Sequence, residues 1–335
     1  MAISDLPGPG ALTDGVGPAR RWIAWAVATL VLALVPVLLQ NPYHLSVATS
    51  VLITVMLTLS LHLVVGFSGQ FSLAHAAFFG IGAYVPAILT SRFGLSPWLG
   101  LPAGLGLGIA VALLIGLPTV RLRGYYLATA TLAFAFLIEV FARQAVDVTG
   151  GAYGIQRLPP LDLFGQSLRG AAYYEAALVA LLASTFLLDN LMRSPLGRSI
   201  IATRDNASAA ASIGVNVVQV RLTAFVMSAA VAALAGWVQA FFQLGLNPSL
   251  LSVDLTFVWL AMVIVGGLGH VTGVVTATVL LVIAPEVLGF TTEHQALGFG
   301  VLMVGATLFA PRGLGGLIDG VLGKKRLHLQ RTRCP

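Results

Sequence analysis

Long apolar runs, separated by short polar stretches rich in glycine and proline, set the pattern of this chain. A helix needs roughly 20 mostly apolar residues to cross the hydrocarbon layer of a bilayer. Apolar length and the positions of the breakers predict ten such segments. They cover residues 22–39, 45–65, 71–89, 98–117, 125–142, 171–191, 220–242, 255–285 (as two spans) and 295–310. The pattern predicts an all-α polytopic membrane protein of about ten transmembrane helices, some of them broken.

The run from 255 to 285 decides on which side the two termini lie. It is long for a single crossing, and Gly266, Gly267 and Gly269 interrupt it. Two short spans give a total of ten and place both termini on one side of the membrane. A single span gives nine and separates them.

Composition supports the membrane class and charge settles the orientation. Hydrophobic residues make up 58% of the 335 residues and charged residues 9%, against about 45–50% and 25% in ordinary soluble domains. This excludes a soluble enzyme, a disordered regulator and a nucleic-acid binder.

With ten spans, only Arg92, Arg143, Arg157 and Arg169 of the 18 lysines and arginines fall on one side. Basic residues accumulate in cytoplasmic loops, so we expect both termini in the cytoplasm.

These boundaries divide the chain into a transmembrane domain and two tails. Residues 1–20 are predicted to form a disordered cytoplasmic tail, residues 21–310 the membrane domain and residues 311–335 a basic cytoplasmic tail. The basic flank before residue 22 also fits a signal peptide. The length of the apolar run, with Trp22 and Trp25 near its start, favours an uncleaved first span.

A short motif at 66–69 matches the G-x-S-G pattern of intramembrane serine proteases. Its Ser68 would need a histidine to accept its proton, and His62, His75 and His270 are the candidates. The alternative is a broken helix in which Ser68 and Ser72 cap the next helix.

Glu139 and Glu286 are acidic residues within or at the ends of predicted spans. Such carboxylates mark ion pathways when they lie at mid-depth. Both are expected near the outer face, where Glu139 can pair with Arg143. This disfavours a stand-alone ion-coupled transporter or channel, which remains the alternative class.

Glycines at four-residue spacing, Gly100, Gly104 and Gly108, with Gly106 among them, indicate close helix packing. Small residues at this spacing let helices approach closely in lipid. They predict a multi-helix bundle and carry no information about a substrate.

The loop at 193–219 is the only long one predicted on the cytoplasmic side. Ser194 and Pro195 suit a helix start. The alanine-rich run from Thr203 to Ile213 predicts one short helix that ends at Gly214 and presents Arg204. An ordinary connecting loop is the alternative.

Two absences limit the chemistry of this chain. It has no G-x-x-x-x-G-K-[ST] phosphate loop, so ATP hydrolysis would require another chain. Its single cysteine, Cys334, allows no internal disulfide and no cysteine-based metal site.

Five motifs along residues 45–320 resemble those of the permease subunits of branched-chain amino acid ABC transporters, the LivM type in particular. Residues 66–84, GFSGQFSLAHAAFFGIGAY, are similar to the family's GxxGQxSLGHxAFxGIGAY. Residues 194–216 are similar to its coupling segment, SxxGR followed by REN, AA and GxN. The other matches lie at 122–134 with 149–154, at 266–269 and at 310–316.

The resemblance implies an importer permease bundle in a bacterial inner membrane. It implies a second homologous permease, two ATPases that bind ATP and Mg, and an external solute-binding protein. No cofactor or metal is expected on this chain. Branched-chain amino acids lead as substrates; other amino acids, amides, urea and small carboxylates stay open.

The resemblance also assigns candidate residues. The substrate pathway would include Gln70, Ser72, His75 and Tyr84. The contact with the ATPases would involve Arg198, Arg204, Asp205, Asn206, Ala209, Ala210 and Gly214.

Overall fold

The computed structural model describes residues 29–39, 41–122, 124–163, 165–288, 300 and 314–316. The predicted N-terminal tail, the start of the first span and nearly all of the last span and the C-terminal tail lie outside these residues. Within them the chain is almost entirely helical. The longer helices are α1 (Thr29–Leu38), α2 (Pro42–His62), α3 (His75–Phe93), α4 (Pro97–Thr119), α5 (Tyr125–Gln144), α7 (Ala171–Arg193), α8 (Pro195–Asp205), α10 (Val217–Gln243), α11 (Val253–Gly266) and α12 (Val271–Leu288).

The all-α membrane fold is confirmed. Six helices of the described residues are long and apolar enough to cross a bilayer: α2 with its continuation to Phe67, α3, α4, α5, α7 and α10. Their bounds differ from the predicted spans by a few residues, because capping and not hydropathy sets where each helix begins. Asn41 and Ser96, for example, cap α2 and α4 through their side chains, and a proline follows each cap.

The predicted interruption of the run at 255–285 is confirmed. Helix α11 ends at Gly266 and α12 begins at Val271. Gly267 and Gly269 both have positive φ angles, 99° and 94°, which glycine adopts without steric cost. The 14 residues of α11 span only about 21 Å, less than the hydrocarbon thickness. The total of ten spans stays a prediction.

Side-chain contacts at the helix ends agree with the two-span interpretation. The hydroxyl of Tyr43, at the start of α2, donates to Glu286 near the end of α12. The N–H of Val253, at the start of α11, donates to Glu139 near the end of α5 at 3.4 Å. Because the turn at 266–270 joins the opposite ends of α11 and α12, these carboxylates lie toward one side of the bundle. Glu139 also pairs with Arg143 at 2.9 Å, as predicted.

Helix α2 lies at the centre of the bundle and contacts α7, α10, α11 and α12. Its side chains from Val51 to His62 are buried with one exception, Thr54, which is half-buried. Buried hydroxyls in this helix return hydrogen bonds to their own backbone, for example Thr49 to the carbonyl of Leu45 at 2.9 Å. This satisfies a polar group that burial would otherwise penalise.

The predicted glycine packing is confirmed for three of the four residues. A Cβ at Gly100 or Gly104 would meet Pro86 of α3 at 2.7 or 3.0 Å, and one at Gly108 would meet the Cβ of Ala233 in α10 at 3.1 Å. A Cβ at Gly106 would meet nothing within 4 Å. The stripe therefore fits α4 against α3 and α10, and Gly106 takes no part in it.

The polar stretch between α5 and α7 folds into small elements. It contains the one-turn helix α6 (Val146–Thr149), a 3-10 turn at Gly151–Tyr153 and a hairpin of β1 (Asp162–Leu163) and β2 (Gln166–Ser167). Ile155 pairs with Leu246 in an isolated antiparallel bridge. These bonds hold the stretch against the end of α10.

Candidate functional site

Helix α2 does not end in a regular turn. It continues as a π-helix, Leu63–Phe67, and breaks before α3 begins at His75. The carbonyls of Leu63 and Val64 accept hydrogen bonds from the N–H groups of Ser68 and Gln70, at 3.0 and 2.9 Å. The break predicted at this motif is confirmed, and π-helical turns occur frequently at functional sites.

The predicted capping role of Ser68 and Ser72 is wrong. Helix α3 has Ala74 as its N-cap residue, with no side-chain cap. The Oγ of Ser68 instead accepts a hydrogen bond from Gln70 Nε2 at 2.5 Å, and Gln70 Nε2 also donates to the carbonyl of Arg221 in α10 at 3.1 Å. The Oγ of Ser72 accepts a hydrogen bond from the N–H of Ala74 at 3.4 Å. Both serines therefore bond within the break, and Gln70 makes the contact with α10.

Ser68 is not paired with His62 or His75, two of the three candidate bases, among the residues that the structure describes. The hydroxyl of Ser68 accepts a hydrogen bond from Gln70. His75 Nε2 is bonded to Ser228 Oγ at 2.7 Å. Both ring nitrogens of His62 are buried without a hydrogen-bond partner in the described part of the chain. Neither imidazole is thus in place to accept the proton of Ser68.

All four residues predicted for the substrate pathway are buried inside the chain: Gln70, Ser72, His75 and Tyr84. A cavity that the described residues form beside Trp98, Tyr173 and Trp237 is lined by other side chains. His75 points to α10, where it meets Ser228. The hydroxyl of Tyr84 is buried, with no partner among the described residues.

Three further hydroxyls stand beside this region and were missed by the sequence analysis. Thr131 of α5 accepts from the N–H of Leu73, and Thr256 of α11 accepts from the N–H of Ala76, each at 3.0 Å. Ser228 of α10 binds His75. Thr131 lies within the motif at 122–134, whereas Ser228 and Thr256 lie outside the matched motifs, where their only signal was their polarity within a predicted span.

The loop at 193–219, predicted to be cytoplasmic, contains two helices, α8 and α9 (Ala207–Ser212). The predicted start is confirmed, because Ser194 accepts a hydrogen bond from Gly197 and Pro195 occupies the first turn. The single helix predicted from Thr203 to Ile213 is wrong. Asn206 ends α8 and its side chain caps α9 through the N–H of Ala209, at 3.0 Å. An asparagine competes with helix continuation because its side chain bonds the nearby backbone.

Gly214 follows α9 with a φ of 88°. Its N–H bonds the carbonyl of Ala211 at 3.0 Å. A left-handed glycine at this position is typical of a helix end. The predicted role of Gly214 as the stop is therefore confirmed.

Five of the seven predicted coupling residues are exposed: Arg198, Asp205, Asn206, Ala209 and Gly214. The prediction that Arg204 is presented outward is wrong. Its Nη1 donates to the carbonyl of Gly66 at 2.5 Å, and its stem packs on Gly69. Ala210 is also turned inward, with 3% of its surface exposed. The two small helices pack one face on the membrane domain, and that face contains both residues.

Arg204 is half-buried and lies outside the membrane-spanning helices. Burial lowers the pKa of its guanidinium, and the nearby carboxylate of Asp205 opposes this shift. An arginine side chain stays protonated in proteins. The contact with Gly66 is therefore a charge-assisted hydrogen bond.

Groups of three or more histidine, cysteine, aspartate or glutamate residues that could hold a metal ion are absent from the part of the chain that the structure describes. The described polar groups around the break are hydroxyls, amides, imidazoles and the guanidinium of Arg204. Such groups suit hydrogen bonding to a small polar solute.

Comparison with known proteins places the chain among transport permeases. Residues 43–310 match the model of the family described as branched-chain amino acid transport system / permease component. The high-affinity branched-chain amino acid transport system permease protein LivM of Escherichia coli is 34% identical, over 93% of this chain and 79% of that protein. Its counterpart in Salmonella typhimurium is 32% identical, over 93% and 80%.

A probable branched-chain amino acid transport permease protein LivH of Methanocaldococcus jannaschii is 26% identical, over 75% of this chain and 84% of that protein. No solved structure matches. The family model spans most of the chain, and the LivM proteins match it nearly from end to end. The chain belongs to the branched-chain amino acid transport permease family, and it is of the LivM type.

Proposed function

We propose that this chain is the membrane-spanning permease subunit of an ATP-binding-cassette importer. It translocates branched-chain amino acids, or a related small polar solute, that a solute-binding protein delivers on the outer side of a bacterial inner membrane. The family match over residues 43–310 is the observation that carries this proposal.

The absence of a phosphate loop from the sequence means that ATP and Mg are bound by partner ATPases. Two such ATPases act from the cytoplasmic side, where both termini of this chain lie. Their contact is the coupling surface, defined as the exposed residues Arg198, Asp205, Asn206, Ala209 and Gly214 of the loop at 193–219.

A second, homologous permease completes the pathway. Similarity of this chain to both LivM and LivH proteins supports a pair of related but non-identical subunits. The solute passes beside the break between α2 and α3. ATP-driven closure of the ATPases favours one orientation of the permease pair and exposes Gln70, Ser72, His75 and Tyr84 in turn. Such a shift requires that ATP-bound ATPases bind one orientation more tightly.

The test is transport by purified protein in proteoliposomes. The chain is reconstituted alone, or together with its LivH-type partner, the two ATPases and the binding protein, and uptake of radiolabelled leucine is measured. We expect uptake only from the full assembly, and only with ATP and the binding protein. Leucine uptake by the chain alone, driven by a proton or sodium gradient, would overturn the proposal in favour of an ion-coupled carrier.

The solute is tested in the same assay by competition. Unlabelled isoleucine and valine are expected to suppress leucine uptake, whereas urea and a small carboxylate are not. Suppression by urea or the carboxylate but not by valine would reject branched-chain amino acids as the substrate class and leave the importer function standing.

A further inference from the structure

The end of α2 leaves a backbone carbonyl that its own helix does not satisfy. The last carbonyls of a helix have no partner within it, and they carry the negative end of the helix dipole. Here Ser68 and Gln70 satisfy the carbonyls of Leu63 and Val64. The carbonyl of Gly66 receives its hydrogen bond from Arg204, which lies 138 residues later in the chain.

The absence of a side chain at Gly69 leaves space for the side chain of Arg204. Gly69 has a φ of 67°, and a Cβ there would lie 3.0 Å from Cγ of Arg204. The methylene stem of Arg204 therefore lies against the backbone of the break while its guanidinium reaches Gly66. Long cationic side chains commonly bury their stems in this way. The contact is both apolar and charge-assisted, and it is more than a surface hydrogen bond.

Other contacts tie the same elements together. Ile200 of α8 is fully buried in a cluster with Val220 and Ala224 of α10, and Phe67 packs against this cluster. Gln70 bonds the carbonyl of Arg221 in α10. The cytoplasmic ends of α2 and α10 thus meet α8 at one junction.

The junction connects two places that transport must couple. Arg204 precedes Asp205 and Asn206 of the coupling surface. Gly66 ends α2, which is the central helix of the bundle, and begins the break that leads to His75. A displacement of α8 would therefore be transmitted through the side chain of Arg204 to the break and its buried polar residues.

We propose that Arg204 is a positioning residue that transmits the movement of the ATPase-contacting helices to the broken end of α2, and that it stays bonded to Gly66 throughout transport. This rests on the proposed function, because it assumes that ATPases move α8 and α9. The contact is a rigid link, since the buried stem of Arg204 and the Ile200 cluster hold the same two elements.

The first experiment compares Arg204→Met with Arg121→Ala in the assembled importer. Methionine keeps an apolar stem over Gly69 and removes the donor to Gly66. Arg121 is exposed and lies on the same predicted side, so its variant controls for the loss of a cytoplasmic arginine. Co-purification with the ATPases, membrane level, ATP hydrolysis with and without substrate-loaded binding protein, and leucine uptake are measured.

We expect Arg204→Met to assemble with the ATPases and to lower the ratio of stimulated to unstimulated ATP hydrolysis, and leucine uptake, by about tenfold, as loss of a hydrogen bond to a charged group predicts. Arg204→Lys should recover part of this loss, and Arg121→Ala should match wild type. Wild-type stimulation in Arg204→Met would overturn the proposal. Loss of ATPase binding in that variant would overturn it as well, because the residue would then form the partner contact itself.

The second experiment replaces the contact between Arg204 and the break with a disulfide between positions 69 and 204. A Cβ on Gly69 would lie 3.6 Å from Cβ of Arg204, within the 3.5–4.5 Å range of disulfides. Gly69→Cys and Arg204→Cys are combined in a Cys334→Ser background, and the bridge is formed with oxidant and opened with reductant. The single variants are the controls, since cysteine at Gly69 must adopt a positive φ.

We expect the oxidised double variant to regain stimulated ATP hydrolysis and uptake, and the reduced form to lose them. If the bridge forms and activity stays low, the two elements must separate during transport and the rigid link is wrong. If it does not form, the Arg204→Met comparison decides. An unaltered importer that fails to take up leucine with ATP refutes the proposed function itself and not the link.

Discussion

Helices α3 and α10 approach each other at two glycines, and enlarging either one tests the packing directly. A Cβ on Gly82 would lie 2.0 Å from the carbonyl oxygen of Ala233, and a Cβ on Gly236 would lie 2.0 Å from that of Phe79. Both obstacles are backbone atoms, so no side-chain rotation relieves them. Gly82→Ala or Gly236→Ala therefore requires the two helices to separate.

The size of the effect follows from this geometry. Restoring ordinary contact requires a separation of roughly 1 Å or more, and overpacking of a filled core costs about 1–3 kcal/mol. Neighbouring contacts between the two helices loosen as well, since dispersion contacts weaken steeply with distance. For a chain of 335 residues, an unfolding entropy of about 2.1 cal/mol/K per residue makes 1 kcal/mol equivalent to roughly 1.4 °C in melting temperature. Each variant is thus expected to melt about 1.5–4 °C below wild type.

The assay is thermal unfolding of the detergent-purified permease, followed by loss of the monodisperse peak on size-exclusion chromatography. Gly106→Ala is the matched control, because its Cβ would meet nothing within 4 Å and alanine favours a helix over glycine. It should melt at or above the wild-type temperature. The double variant Gly82→Ala/Gly236→Ala should lose less than the sum of the single losses, since one separation accommodates both methyl groups. Equal melting temperatures for Gly82→Ala and Gly106→Ala would refute the close approach of α3 and α10.

Three other predictions concern topology, ion coupling and partner contact. A cysteine at Ser167, in the exposed β2 strand, should react with membrane-impermeant maleimide from the outside and native Cys334 only from the inside; labelling of both from one side would contradict the ten-span topology. Glu139→Gln should keep most leucine uptake, because Glu139 is bonded to Arg143 and Val253 at the ends of their helices and is expected to take no part in proton coupling; complete loss at normal membrane levels would refute this. Ala209→Trp should lower ATPase co-purification severalfold without altering the melting temperature, because Ala209 is exposed; Ser167→Trp is the control, and normal ATPase binding by Ala209→Trp would exclude its position from the contact.

Glycine and proline positions predicted local breaks well but not the details of the junctions. The turn at Gly266–Gly269 and the break at Gly66–Gly69 both appear where the sequence placed them. The capping prediction for Ser68 was wrong, because its hydroxyl accepts a hydrogen bond from Gln70, two residues later in the chain. The side chain of Gln70 also bonds the carbonyl of Arg221 in α10, a long-range contact that no local pattern indicates.

In the loop at 193–219, too, local sequence predicted where helices begin and end, whereas tertiary contacts decided which side chains are buried. Ser194, Pro195 and Gly214 marked helix limits that the structure confirms. Asn206 was read as part of a helix, whereas its side chain caps α9. The inward direction of Arg204 and the burial of Ala210 depend on which face of α8 and α9 meets the membrane domain. An alanine-rich run does not mark such a face.

The sequence by itself determined the membrane class, the long apolar helices, the main breaks and the family, because bilayer thickness requires apolar length and glycine permits backbone angles that other residues avoid. The tertiary structure alone decided which side chains are enclosed. Lipid tails are as apolar as a protein core, so membrane helices have little amphipathic pattern to show which face is buried. The hydrogen bonds between His75 and Ser228 and between Arg204 and Gly66 therefore join residues that are more than a hundred positions apart in the chain.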